Sequence, residues 1–347
     1  MKDKFKIAFF GKDSHAGCMI DMFQDALPQH PLVESVDWET TFSRFGKAVL
    51  PMRGEKYLLE NIKQYDLIFL QSGQITPETE KLFDDLGLWG HIVLCDFYDE
   101  QRFETKYLNR CLLYMKRSWQ DYYIPKGFNN IIPIPPSVMS FYPNIVPSGH
   151  YGKRDLPVTC TLPQPNRGRG YPRDMVAKII KDTDWKLSDG TTATLTLFYS
   201  CGSVVSMAAT LYRAELTPPP PYVNWWYIYM HVLRRTKILF TAIHSEIGDI
   251  GENRTWEALG SGVVLFTNKI EIQGLEPYID GVHYIKIDIN DIPKAINRAK
   301  ELLVDEAELK KIAEAGFEFS MKYHSSKARI NYVMEEIIKR LKEKSNV

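Results

Sequence analysis

Phe5-Lys6-Ile7-Ala8-Phe9-Phe10, then Gly11-Lys12-Asp13-Ser14-His15-Ala16-Gly17, then apolar residues at helical spacing through Leu27, reads as strand, glycine-containing loop and helix. The same alternation returns downstream. Asp66–Leu70 (DLIFL) and Ile92–Cys95 are short apolar runs, and Pro77–Leu86 between them is a helix with Thr76 as its N-cap. Cys111–Met115 and Ile131–Ile134 add two further strands. Short apolar strands separated by helices predict a parallel sheet covered on both faces.

From Pro133 to Pro157 the prolines at 133, 135, 136, 143, 147 and 157 leave no room for a regular element, which marks a linker. A second series follows: Val158–Leu162 as strand, Pro172–Lys181 as helix, Thr194–Tyr199 as strand, Val223–Arg235 as helix and Lys237–Ala242 as strand. Arg254–Leu259 then reads as helix and Gly262–Thr267 as strand, and Ile292–Leu303, Glu306–Tyr323 and Ser326–Lys344 are helices with apolar spacing of three and four. The prediction is two tandem open α/β domains and a helical end. Such pairs bind ligands in the cleft between the domains, at the carboxyl ends of the strands.

The 347 residues are 44% apolar and 25% charged, ample for packed cores. Lys plus Arg and Asp plus Glu each number 43, so bulk charge does not hold a polyanion. There is no apolar run of membrane-spanning length and no signal-peptide core at the start, so a cytoplasmic location is expected. Five scattered cysteines without a C-x-x-C pair read as reduced, mostly buried thiols. The eight histidines show no metal-ligand spacing, and a metal-independent protein is expected.

The stretch Asp249-Ile250-Gly251-Glu252-Asn253-Arg254-Thr255-Trp256-Glu257-Ala258-Leu259-Gly260-Ser261-Gly262 is a polar loop entering a short helix that ends on glycines and runs into an apolar strand. Unpaired amides and the macrodipole make a helix N-terminus attractive to anions. Arg254 in the first turn adds a guanidinium fork for phosphate oxygens, and Glu257 one turn on could accept both hydroxyls of a ribose. The alternative is a surface i, i+3 ion pair. A second basic loop, Asn166-Arg167-Gly168-Arg169-Gly170-Tyr171-Pro172-Arg173, follows a strand and opens a helix. Its arginines suit a diphosphate, with a solvated basic loop as the bland reading.

Asn253–Phe266, Gly274–Tyr278, Gly281-Val282-His283-Tyr284 and the tail from Ala313-Glu314-Ala315-Gly316 to His324 and Arg329 resemble the donor half of group 1 two-domain glycosyltransferases, the spore-maturation branch in particular. In that family R-t-x-E-A-l-x-x-G precedes an apolar strand, and its Glu holds the ribose of a nucleotide sugar. Asp249 falls where the family has the first acid of a paired-Glu pattern. The phage DNA base glucosyltransferases show a similar arginine pair and R-x-W-E, corresponding here to Arg169, Arg173, Arg254 and Glu257. The resemblance implies two Rossmann-like domains facing a cleft (GT-B architecture): 1–150 on the acceptor side, 151–324 for the nucleotide sugar, and a helix at 325–347 packing back on the first. It implies a nucleoside-diphosphate sugar, UDP-sugar first, as co-substrate, bound by Arg167, Arg169, Arg173, Asp249, Asn253, Arg254 and Glu257.

Asp96 ends the strand Ile92–Cys95, at the mouth of the expected cleft, where partial burial tunes a carboxylate for general-base work. The counterpart position in the phage enzymes is the base that deprotonates the acceptor. Asp99 is the second candidate and His15 the third, against the readings of turn cap and surface residue. If the enzyme retains configuration, Asp96 has another role. The acceptor is left open among DNA with hydroxymethylated bases, a glycan, a protein and a small metabolite, with Lys106, Arg110, Lys116, Arg117 and Lys126 favouring DNA. Trp225, Trp226, Tyr227 and Tyr229 offer stacking surfaces or core. The competing readings are a binding protein of this fold without turnover and a dinucleotide-dependent oxidoreductase. The second lacks a G-x-G-x-x-G loop.

Overall fold

The computed structural model describes residues 2–11, 17–40, 52–97, 103–117, 125–140, 154–162, 172–199, 230, 232–241, 253–268, 270 and 275–345. The chain divides into two compact units, one built chiefly from Met1–Met139 and His324–Val347, the other from Ser140–Glu246 and Gly251–Tyr323.

The first unit opens with β1 (Phe5–Phe10) and α1 (Gly17–Ala26), then β2 (Val33–Trp38), α2 (Glu55–Glu60), β3 (Leu67–Gln71) and α3 (Pro77–Asp85). It continues with β4 (Ile92–Asp96), α4 (Thr105–Leu108), β5 (Leu113–Lys116) and β6 (Ile131–Pro133). All six strands are parallel, in the order β2-β1-β3-β4-β5-β6. β3 and β4 are buried at every position, as strands covered on both faces must be. On one face Ala8, Phe10, Ile68, Leu70, Leu94 and Tyr114 join a single core cluster. On the other, Phe9 stacks on Phe69 and contacts Phe23 of α1 and Trp38 of β2. α3 starts as expected: Thr76 and Thr79 form a reciprocal capping box, with Pro77 in the first turn. The strand β2 was not anticipated from the sequence.

The second unit comprises β7 (Leu156–Leu162), α5 (Pro172–Asp182), β8 (Leu195–Tyr199), β9 (Thr236–Phe240), α6 (Asn253–Gly260), β10 (Val264–Thr267) and β11 (Ile285–Lys286). The helices α7 (Ile292–Val304) and α8 (Glu306–Tyr323) complete it, and α9 (Ser326–Ser345) belongs to the first unit, where it packs on α1. The parallel sheet runs β11-β10-β9-β7-β8. Both units therefore repeat one winding plan, in which the first strand lies between the second and the third. Of the expected helix at 223–235, only residue 230 and residues 232–235 are described, and they are helical. Among the described residues no helix is long and apolar enough to cross a membrane. Cys95, Cys111 and Cys160 are buried free thiols, as the scattered spacing predicted.

Candidate functional site

In an open parallel sheet the strand order reverses at one point, and the loops leaving the two strands there diverge to leave a crevice. In the second unit that point lies between β7 and β9, which pair with Cys160 opposite Phe240. β7 is followed by α5 and β9 by α6, so the first turns of both helices come after the carboxyl ends of these neighbouring strands. Arg173 is the second residue of α5 and Asn253 the first of α6. Arg167, Arg169 and Asp249 lie outside the described residues, as do Trp225, Trp226, Tyr227 and Tyr229.

The helix α6 is short and almost wholly buried. Thr255, Trp256 and Ala258 have no exposed surface, and Glu257 is 3% exposed. Arg254 is half-buried, and its charge reaches the Cys160 thiol of β7: burial pushes that thiol up to about 12, and Arg254 acts in the opposite direction. The guanidinium in the first turn of α6 therefore stands close to the strand that flanks the crevice. At 3% exposure Glu257 is not a surface carboxylate. A carboxylate taken out of water is tolerable only where donors or cations meet it.

The end of α6 is built with equal care. Val263 N–H donates to Ala258 O at 3.1 Å, Gly262 N–H donates to Leu259 O at 3.0 Å, and Gly262 has φ +67°, which is a Schellman ending. Arg154, buried just before β7, donates to the carbonyls of Leu233 (2.8 Å), Thr236 (2.6 Å) and Ser261. One guanidinium thus ties the entry to β9 to the end of α6. No local sequence signal marked Arg154, because its partners are three carbonyls on other elements.

The motif segments that lie in the second unit brace α6 from behind. Trp256 contacts Tyr278, Tyr278 and His283 both pack on Phe319 of α8, and Tyr278 Oη lies 2.8 Å from Ser320 Oγ. His283 Nδ1 accepts from Ile279 N–H at 3.1 Å, and burial lowers its pKa. Gly316 passes so close to the His283 carbonyl that a Cβ there would overlap the oxygen. His324 and Arg329 are buried in the first unit, with Arg329 Nη2 2.7 Å from His324 Nδ1.

In the first unit the strand order reverses between β1 and β3. Gly11, Gln71 and Ser72 sit just at or past the ends of these strands, all buried. Asp96 ends the next strand and is 3% exposed. Its Oδ2 accepts from Tyr114 Oη at 2.7 Å and lies 3.0 Å from Lys116 Nζ, so the carboxylate is held within the sheet by two donors from β5. Tyr114 and Lys116 were missed as partners of Asp96. The available signal was their i, i+2 spacing on one face of a strand adjacent to Asp96. Asp99 and His15 lie outside the described residues.

The basic residues offered as a DNA-facing set do not form one. Lys116 and Arg117 are buried, Lys106 pairs with Glu80 (2.6 Å), and Arg110 pairs with Glu80 (3.0 Å) and Asp84 while lying over the Trp89 ring. Lys106, despite its pairing, and Lys126 are the exposed members of the five. Among the described residues no group of three His, Cys, Asp or Glu is arranged to hold a metal ion.

Residues 223–335 match the model of a glycosyl transferase-like family. No curated protein sequence matches the chain. Among solved structures, an alpha-glucosyltransferase (AGT) in complex with UDP has a TM-score of 0.63 at 10% identity, covering 96% of this chain and 100% of its own. The alpha-glucosyltransferase in complex with UDP-glucose and DNA containing an abasic site gives 0.63 at 11%, with the same coverage. Anabaena Alr3699/HepE in complex with UDP and glucose gives 0.59 at 13%, covering 96% of this chain and 100% of its own. The chain thus has the two-sheet fold of the GT-B glycosyltransferases, and residues 223–335 within it are a glycosyltransferase-like domain.

Proposed function

We propose that the protein transfers a sugar from a UDP-sugar to a hydroxyl acceptor, with the donor in the second unit and the acceptor in the first. The observation that carries this reading is the burial of Glu257 one turn after a half-buried Arg254 at the switch point of the second sheet. A buried acid beside an anion-attracting helix start matches a ligand with a diphosphate and a vicinal diol. Arg254, Arg167, Arg169, Arg173 and the start of α6 with Asn253 stabilise the departing diphosphate, Glu257 receives the ribose, and Asp249 assists from the loop before α6. Asp96 accepts the acceptor proton in a direct displacement, with Asp99 and His15 as the alternative bases.

The donor class is supported by the UDP and UDP-glucose complexes of the structurally similar enzymes. On the described residues, the buried or paired state of four cations in the first unit favours a small or neutral hydroxyl compound over duplex DNA. The reaction needs no metal in this scheme, and the location is the cytoplasm. The test is calorimetric titration of UDP into wild-type protein and Glu257→Ala. Loss of the acid should weaken binding by about 1–3 kcal/mol by leaving ribose hydroxyls unpaired. A folded Glu257→Ala protein with wild-type UDP affinity would remove the central claim.

A further inference from the structure

Lys116 has no exposed side-chain surface, and its Nζ lies 3.0 Å from Oδ2 of the buried Asp96. The two stand directly opposite each other in the β4/β5 register. Tyr114, two residues before Lys116 on the same face, gives its hydroxyl to the same carboxylate oxygen at 2.7 Å and accepts from Glu104 N–H at 3.0 Å. Phe103 closes the assembly, 5.8 Å from the Tyr114 ring and 6.0 Å from Lys116 Nζ.

Desolvating two opposite charges is seldom repaid in stability, and an apolar pair would fill the same space. This pair sits at the carboxyl ends of two parallel strands, the edge that serves ligands in this architecture. We propose that Lys116 and Tyr114 are positioning residues for the acceptor-side carboxylate, Lys116 holding Asp96 charged and Tyr114 fixing its rotation. This rests on the reading of Asp96 as the acceptor base. Among the described residues, the charged and titratable groups that face Asp96 include Lys116 and Tyr114 from β5, Arg117, whose backbone N–H donates to Asp96 O at 2.9 Å, the Cys95 thiol beside it, and Glu104 through Tyr114. Lys116 is in salt-bridge contact with its carboxylate.

Three full-length variants separate the roles: Lys116→Met, Lys116→Arg and Tyr114→Phe. The first readout is infrared difference spectroscopy between acid and neutral pH, with Asp96→Asn as the blank. In wild type the Asp96 band at neutral pH is that of a carboxylate, in Lys116→Met it becomes that of a protonated carboxyl, and Lys116→Arg restores the carboxylate. The second is UDP release from UDP-glucose with water as acceptor, followed against pH. Lys116→Met should move the acidic limb of kcat upward with UDP affinity unchanged, and Lys116→Arg should return it. Tyr114→Phe should lower kcat by about 10-fold to 100-fold without moving the limb.

A folded Lys116→Met protein with the wild-type infrared band and pH profile would overturn the proposal. If the methionine variant does not fold, Tyr114→Phe with unchanged kcat has the same force. If wild type releases no UDP while the infrared change is seen, the acceptor-base reading fails and the control of the Asp96 charge by Lys116 stands.

Discussion

Gly316 of α8 lies against the carbonyl oxygen of His283, at a separation that leaves no space for a Cβ. The contact explains why a glycine interrupts the middle of an 18-residue helix. It lets α8 settle on the turn before β11 and presents Phe319 to Tyr278 and His283, the aromatic layer behind Trp256 of α6.

Gly316→Ala sets two effects against each other. Alanine is favoured over glycine in a helix interior by about 1 kcal/mol. Forcing a methyl against a carbonyl that cannot rotate away costs about 3 kcal/mol. The clash prevails, and denaturant unfolding should show a net loss of about 2 kcal/mol. A variant more stable than wild type would mean that α8 shifts freely and does not brace α6.

Stability should fall below pH 6.5, in part through His283 and His30. Burial lowers the pKa of both below the ordinary 6.5, the charge of Glu335 opposing this at His30. Above pH 6.5 both are neutral in either state and the full stability is present. As the pH falls, the unfolded chain takes up protons that the folded protein resists, so stability is lost until the lowered folded-state values are passed. His283→Asn retains an acceptor for Ile279 N–H but cannot titrate, and its unfolding midpoint in urea should depend less steeply on pH in this window. An unchanged slope would show that His283 is solvated when folded.

What was legible in the sequence follows burial. β3 and β4 are buried on both faces, so their apolar runs stand out without periodicity analysis. β2 is an edge strand with Glu34, Ser35 and Asp37 in six residues and an irregular pairing with β1, so neither an apolar run nor strict alternation marks it. Two-residue β11 has no pattern to show. In the candidate site, Arg254 and Glu257 were legible because they share one helix. Lys116 was misjudged as a surface cation because its counter-charge belongs to a different strand, and Arg154 was missed because backbone carbonyls have no sequence signature.

Arg173 opens α5 beside the switch point of the second sheet, and its proposed partner is the diphosphate. Arg173→Ala should weaken UDP by about 1.5–3 kcal/mol, the range for hydrogen bonds to charged groups, and leave uridine binding as it is. Titration of both ligands into one variant makes the comparison internal. Equal losses for UDP and uridine would assign Arg173 to the fold and not to the phosphates.

Asp96, Asp99 and His15 are the proposed candidates for the acceptor base, and of the three only Asp96 has a described environment, with Tyr114 and Lys116 on its Oδ2. A general base contributes about 10²–10⁴-fold to rate and little to donor binding. Asp96→Asn keeps the shape and an acceptor oxygen for Tyr114 while removing the charge, so UDP affinity should hold and sugar transfer should fall by that factor. The same substitution removes a counter-charge from buried Lys116, so the melting temperature should also drop, and the double variant Asp96→Asn/Lys116→Met should recover it without recovering transfer. Rate and stability are thereby read separately. Transfer at the wild-type rate in Asp96→Asn, with a loss instead in Asp99→Asn or His15→Ala, would move the base to the loop residue and leave the Asp96–Lys116 pair a structural one.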